Sequence, residues 1–458
     1  MTAIRILALA LLPALGPTSA ADTATLDYTF FKERVQPIFL AKRAGHARCV
    51  TCHSHGAPPL QPLVAGAESW NEAQSRANYA VWKQFVMPGN PLKSPLLQHP
   101  LAREGGGDHF HAGGKHWRSQ DDPEWQTLAA WVNGARAAGA GERTWVLQTN
   151  AAGDNIHVID PTTNKVIGTI EDIQVPHGVA IAPDGRRIYV SDESLSTLDV
   201  VDAKTLKVTK RIPLSGRPNN LDVAKDGSHV YVGIAQAPGA VDVIDTGSLT
   251  NVKSVAVKGA IHNVYVTPDG RYAVAGSIPA STISVIDTTS NTLAWTLTLD
   301  AGIRPMAFTR NPDGTTREII VQLSNFHGFA VIDFVSRKEI RRVTLPDPAG
   351  QEKETQGIQG APAHGLAITL DGKVVWVTSK YYGYVAAYSL PDCKLLKVVQ
   401  VGSHPEWLTI PPDGKNLYVA IAGADAVAVV DNQSMKLVAT IPVGAVPKRN
   451  TSGLLRTE

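Results

Sequence analysis

Pro-Asp-Gly or a close variant returns six times, at Pro183-Asp184-Gly185, Lys225-Asp226-Gly227, Pro268-Asp269-Gly270, Pro312-Asp313-Gly314, Leu370-Asp371-Gly372 and Pro412-Asp413-Gly414. Most intervals are 42 to 44 residues, and one is longer because of a Pro/Gly/Gln-rich insertion from Pro346 to Gly360. A period of this size implies like units stacked or closed into a ring. Asp-Gly suits a hairpin turn because glycine accepts a positive φ without steric cost. A β-rich run such as Arg187-Ile188-Tyr189-Val190 follows each turn. A second run then ends in Val-Ile-Asp or similar, at Asp202, Asp245, Asp287, Asp333 and Asp431. Four short strands per repeat of this length describe a propeller blade.

Six blades begin near Pro176, Pro218, Ile261, Pro305, Ala363 and Pro405. Residues Trp145 to Ile170 hold only three outer strands, so the inner strand of a seventh blade must come from the C-terminal stretch Pro447 to Leu455. Joining the two ends closes the ring and removes free sheet edges. An all-β, seven-bladed propeller is therefore expected over residues 143–458. The repeat resembles the YVTN family of β-propellers, here as Ile188-Tyr189-Val190-Ser191 and Leu417-Tyr418-Val419-Ala420. That likeness implies a fold and leaves the chemistry open.

Seven residues before each turn Asp stand His177, Asn219, His262, Met306, His364 and Glu406, to which the closing strand adds Lys448. These positions should ring one mouth of the central channel. Arg217, Arg304 and His404 should crowd the same mouth, with Asp192, Glu193, Asn325, His327, Lys380, Tyr381 and Tyr382 on neighbouring loops. A wet polar channel accounts for such a ring. Imidazoles at His177, His262 and His364 would equally suit a metal or a second haem, and a docking surface is the third reading.

The other constraint is Cys49-Val50-Thr51-Cys52-His53, the C-x-x-C-H pattern of covalent c-type haem attachment. Each thiol adds to one vinyl group of the porphyrin, and the next residue presents its imidazole to the iron. A redox dithiol or half a zinc site would share the spacing. Zinc wants further cysteines, however, and the third in the chain, Cys393, is remote and reads as a buried structural thiol. Around the motif, Phe30, Phe31, Val35, Ile38 and Phe39 form the apolar stripe of a helix over 26–42. Asp121-Asp122-Pro123 starts a second helix with Trp125, Leu128, Ala129, Trp131 and Val132 on its apolar face, stopping near Gly139.

Residues 22–141 resemble the cytochrome c domains described from planctomycetes. The likeness rests on Val35-Gln36-Pro37-Ile38-Phe39, the haem motif, Pro88-Gly89-Asn90-Pro91 with Ser94 and Leu96, and Leu128 through Trp131-Val132 to Gly134-Ala135. It implies a small all-α domain with one covalent haem c and His53 as the proximal iron ligand. In that family a His-x-Gly-Gly or Met-Pro-Pro segment precedes the last helix. Here it is His111-Ala112-Gly113-Gly114, which makes His111 the candidate sixth ligand. Met87 competes, since a thioether would raise the potential. His109 and His116 are further alternatives, and His46 and His55 are expected to be bystanders.

Arg5, the apolar run Ile6 to Leu12 and the small residues Thr18-Ser19-Ala20 read as a signal peptide over 1–21, too short to span a bilayer. Export to the periplasm agrees with haem attachment, which in bacteria takes place outside the cytoplasm. With 458 residues, 18% charged and a net charge of +2, the chain is an ordinary multidomain globular protein. Nothing in it favours nucleic acid or an anionic membrane surface as partner. The expectation is a periplasmic c-type cytochrome that exchanges electrons with a redox partner protein. It could also serve as an oxidoreductase subunit with a second metal or haem at the propeller mouth. At the level of architecture it resembles the two-domain cytochrome nitrite reductases, whose propellers have eight blades and carry a second haem. The alternative is a non-catalytic propeller scaffold that docks the cytochrome or senses a ligand. A third reading makes the haem itself catalytic, with an open sixth position.

Overall fold

The computed structural model describes residues 26–43, 45–134 and 142–456. The segment expected to be a signal peptide and most of the linker lie outside the described residues. Contacts divide the chain into two compact units, Met1–Gly139 and Ala140–Glu458.

The first unit is helical. A run over 28–40 opens at Asp27, whose carboxylate accepts from the Phe30 amide, and continues through a π-helical turn, Phe31–Val35, into Gln36–Leu40. Pro37 cannot donate an amide hydrogen to the carbonyl one turn back, and the wider turn absorbs that gap. Cys49–His53 forms a single helical turn, followed by Glu72–Trp82 and then Pro123–Val132. The last of these starts as the Asp-Asp-Pro signal requires, with Asp122 as cap and Pro123 in the first turn. It ends earlier than the sequence suggested. Gly134, at φ +87°, takes the left-handed conformation that terminates helices, and it lies five residues before Gly139. The two framing helices meet through Phe31 and Trp131, whose ring centroids are 5.2 Å apart, and Trp131 donates its indole N–H to the Asp27 carbonyl. Phe30, Phe31, Val35, Phe39, Trp82, Leu97, Trp125, Leu128 and Trp131 share one core.

The second unit is seven four-stranded antiparallel sheets, a seven-bladed propeller. Six blades run in chain order. The seventh pairs Pro447–Arg456 as inner strand with Glu142–Asn150, Asn155–Asp160 and Lys165–Ile170, and Trp145 lies opposite Gly453. The ring closes as the repeat count requires. Glycines of the six Asp-Gly turns have φ between +69° and +88°. The terminal Asp of each Val-Ile-Asp run folds the next turn: Asp202, Asp245, Asp287, Asp333 and Asp431 each accept the amide N–H three residues on. Each blade buries its middle strands against its neighbours, for example Trp376 with Val419 and Val430. Outer strands such as Lys207–Pro213 are largely exposed and rich in Lys and Arg, which discourages edge pairing. Among the described residues no helix is long and apolar enough to cross a membrane.

Candidate functional sites

In the helical unit the short Cys49–His53 turn presents both thiols and the His53 ring on one side of a cavity of about 410 Å³. Cys49 is half-buried and Cys52 exposed, and neither is in a disulfide. The opposite wall carries His111, and His99 and His116 also line the cavity. A second, apolar pocket of about 110 Å³ is shared by Cys49, His53 and His111 with Phe39, Trp82, Leu96 and Trp117.

His53 and His111 face each other with ring centroids 6.4 Å apart and planes only 17° from parallel. Each Nδ1 lies against a backbone carbonyl, Pro58 at 2.8 Å and Gly114 at 2.7 Å. A carbonyl only accepts, so Nδ1 carries the proton and the Nε2 lone pair is left free on each ring. Burial lowers the His53 pKa, with His111 adding to it against the Pro58 bond. A metal–imidazole bond is about 2 Å, so a 6.4 Å separation of ring centres is long enough to hold one metal ion between the two imidazoles. Of the sequence candidates, Met87 is 48% exposed and lines neither cavity, and His55 and His109 are exposed. His116 stacks near His46, centroids 4.8 Å apart.

Residues that sequence reasoning passed over complete the surroundings. Trp82 stands edge-on to His53 at 5.1 Å. Arg43 bridges Glu124 at 2.6 Å, donates to the Ile38 carbonyl and reaches Cys49 Sγ at 3.9 Å, tying the first helix to the last beside the thiol. Cys393, expected in a core, is instead half-buried in a surface turn where its own φ is +55°.

In the propeller, the residues at His177, Asn219, His262, Met306, His364, Glu406 and Lys448 all lie on inner strands. Pairing slips there in six blades, for example between Pro176 and Val179 and between Ala363 and Leu366, and such bulges re-aim side chains. Gly178 and Gly365 follow two of the histidines because a Cβ would stand 3.0 Å from the Asn219 carbonyl and 2.8 Å from that of Glu406 in the next blade.

The three histidines do not assemble as metal ligands. Among the described residues no group of three His, Cys, Asp or Glu side chains is placed to hold a metal ion. His262 and His364 meet edge to face at 5.7 Å, whereas His177 turns toward Glu193 at 3.4 Å and His364 toward Glu406 at 3.2 Å. The surroundings explain this. Arg449, unremarked in the sequence, runs through the mouth, donating to Asn263 at 2.8 Å and Asn219 at 2.6 Å with its guanidinium 4.0 Å from the centre of the Trp407 ring. Arg449 and Lys448 act on all three imidazoles, Arg304 on those of His262 and His364, and Lys380 on that of His364; burial first, then these cations, hold His177, His262 and His364 well below the ordinary histidine range. A cation-rich neighbourhood repels a metal ion.

The insertion over 346–360 packs beside these residues. Arg304 donates to the Gln359 carbonyl, His404 bonds that of Gln356, and Lys353 sits over Tyr381. Arg217 pairs with Glu193 at 2.6 Å. Asp192 is buried and accepts the Gln174 and Leu195 amides, while the Asn325 amide donates to Gly360. Tyr382 stacks on Tyr384. Asp347, His327 and Ser379 lie in line at 3.2 and 2.8 Å, but Ser379 is fully buried, so the line serves as a clasp between loops.

A family model described as YNCE-like beta-propeller matches residues 136–405. Among solved structures the chain is similar to Kuenenia stuttgartiensis hydrazine synthase, with TM-score 0.55 and 22% identity over 63% of this chain and 92% of that one. It is similar also to the periplasmic gluconolactonase PpgL of Pseudomonas aeruginosa, with TM-score 0.56 and 18% identity over 68% and 99%. A third likeness is to the dihydro-heme d1 dehydrogenase NirN in complex with DHE, with TM-score 0.50 and 16% identity over 77% and 80%. At these identities the likeness is one of fold. No curated protein sequence matches the chain.

Proposed function

The chain belongs to the YNCE-like β-propeller family, and from that premise we propose that it is an exported c-type cytochrome. In this reading the helical unit carries one covalently attached haem c, and the propeller is a scaffold that engages a redox partner in the periplasm. A propeller names no chemistry by itself, so the reading rests on the helical unit.

The observation that carries it is the pairing of His53, directly after Cys52, with His111: near-parallel rings, 6.4 Å apart, each with its Nδ1 anchored on a carbonyl. Cys49 and Cys52 are the covalent anchors, and His53 and His111 the iron ligands. The two carbonyls fix the orientation of both rings and raise their basicity, the outer-shell role usual beside metal-bound histidine. Phe39, Trp82, Leu96 and Trp117 exclude water from one side. Bound there, the haem would supply reversible one-electron transfer at a potential tuned by its axial ligands and by burial. The scaffold role of the propeller is favoured by the charge at its mouth, where four cations act on His364 and two of them, Arg449 and Lys448, on all three histidines.

Expression with export and a haem-attachment system tests the reading. Wild type should retain one haem per chain through denaturing electrophoresis, and C49S/C52S should retain none. A wild-type chain without covalent haem would end the proposal.

A further inference from the structure

The propeller mouth concentrates positive charge that the chain's own carboxylates do not balance. Arg304, Lys380, Lys448 and Arg449 all act on the His364 imidazole, so the four cations share one small volume. Arg304 is 7% exposed, Lys380 2% and Arg449 2%. The buried carboxylate of Glu406 stands 2.7 Å from Lys380 Nζ and 3.4 Å from Lys448 Nζ. Glu193 is taken up by Arg217 at the rim.

The hydrogen-bond partners of the two arginines are neutral groups, while Glu406 acts on both, and Glu193 on Arg449, only through space. Arg304 donates to the Ser324 hydroxyl at 3.0 Å and the Gln359 carbonyl at 2.6 Å. Arg449 has two Asn amide oxygens, the Tyr265 side chain and the Trp407 face. Burial lowers the pKa of Arg304 and Lys380 and brings Arg449 to about 10, as expected of cations short of counter-charge. Leaving charge buried and uncompensated is costly, and a counter-ion relieves that cost. The group is also reachable: the Lys448 side chain is 25% exposed and that of His177 13%. His177 Nδ1 is buried without a hydrogen bond, its nearest charged neighbour being the Glu193 carboxylate at 3.4 Å.

We propose that the propeller mouth is a binding site for a small anion, an oxyanion or a carboxylate, gripped by Arg304, Lys448 and Arg449 beside the imidazoles of His177 and His262. Glu406 is the internal competitor for the same cations. Trp407 and the insertion over 346–360 form the nearby walls. The site stands apart from the haem reading, since none of its residues lies in the helical unit.

The test uses the full-length exported protein in chloride-free buffer, titrated calorimetrically with inorganic phosphate, sulfate and succinate, with Tm followed in parallel. At least one probe should bind and raise Tm; phosphate or sulfate marks an oxyanion site, succinate alone a carboxylate site. K448Q, at a quarter-exposed position, and R304Q should each weaken that binding tenfold or more. E406Q should strengthen it, a reversal of sign that general damage to the fold would not produce. The proposal is overturned if no probe binds wild type, if K448Q and R304Q bind like wild type, or if E406Q weakens binding along with them.

Discussion

Histidines gather in two places in this molecule, and their surroundings give them opposite characters. In the helical unit, His53 and His111 have each committed Nδ1 to a carbonyl, and their near-parallel rings stand 6.4 Å apart beside a cavity lined by two free thiols. In the propeller, His177, His262 and His364 sit among two arginines and two lysines, with Glu406 as the buried counter-charge. The first set fits the proposed metal centre, the second the proposed anion site. Three imidazoles at equivalent blade positions look like a metal site only until the charges beside them are counted.

The ion pairs of the two regions sharpen that contrast, and the largest effect is expected in the propeller. Lys380 and Glu406 are 2% and 3% exposed, so E406Q leaves an ammonium buried without its partner. It should cost about 3–5 kcal/mol in urea unfolding at anion-free conditions. A loss below about 1 kcal/mol would mean that water reaches Lys380 freely.

Acid should weaken the propeller next. Burial, followed by the neighbouring cations, depresses the pKa of His177, His262 and His364 in the fold, while the unfolded chain titrates them near 6.5. Below about pH 6.5 the unfolded state therefore binds more protons, and stability falls as pH falls through that window. Glu406 acts in the same sense at lower pH: burial would raise it, but Lys448 and Lys380 prevail and hold it below the ordinary value. H177Q/H262Q/H364Q should reduce the proton uptake on unfolding by up to three. His157 and His327, also lowered by burial, would supply a residual slope. An unchanged slope in the triple variant would show that these rings are already solvated.

The smallest effect belongs to the helical unit. The Arg43 and Glu124 side chains are 13% and 31% exposed, so their pair is partly screened by solvent. E124Q should lower stability by about 1 kcal/mol, measured by urea unfolding followed in the haem absorbance.

Much of this was legible because propeller blades punctuate themselves. An Asp-Gly turn demands a positive φ, and a Val-Ile-Asp run ends on a side chain that caps the next turn, so both marks survive in the residues. The composite blade followed from a count. The helix Glu72–Trp82 passed unnoticed, although Asn71 and Gln74 form a reciprocal cap that its spacing announces. The end of the last helix was placed too late because Gly134 sits inside an otherwise apolar run.

At the sites, His111 could be singled out by its segment, but its approach to His53 is tertiary. Arg449 was missed for a similar reason. It lies on the closing strand, which has no Asp-Gly turn after it to index the position, and it reaches Asn219 and Asn263, far away along the chain. The balance of cations over carboxylates at the mouth exists only once seven inner strands meet.

Electron paramagnetic resonance with near-infrared magnetic circular dichroism on the oxidised, exported protein tests the central assignment most directly. The predicted result is a low-spin ferric centre with two histidine ligands, lost in H111A and exchanged in H111M for histidine–methionine ligation with a raised potential. A methionine–iron charge-transfer band in wild type that disappears in M87A, or a low-spin signal untouched by H111A, would contradict it.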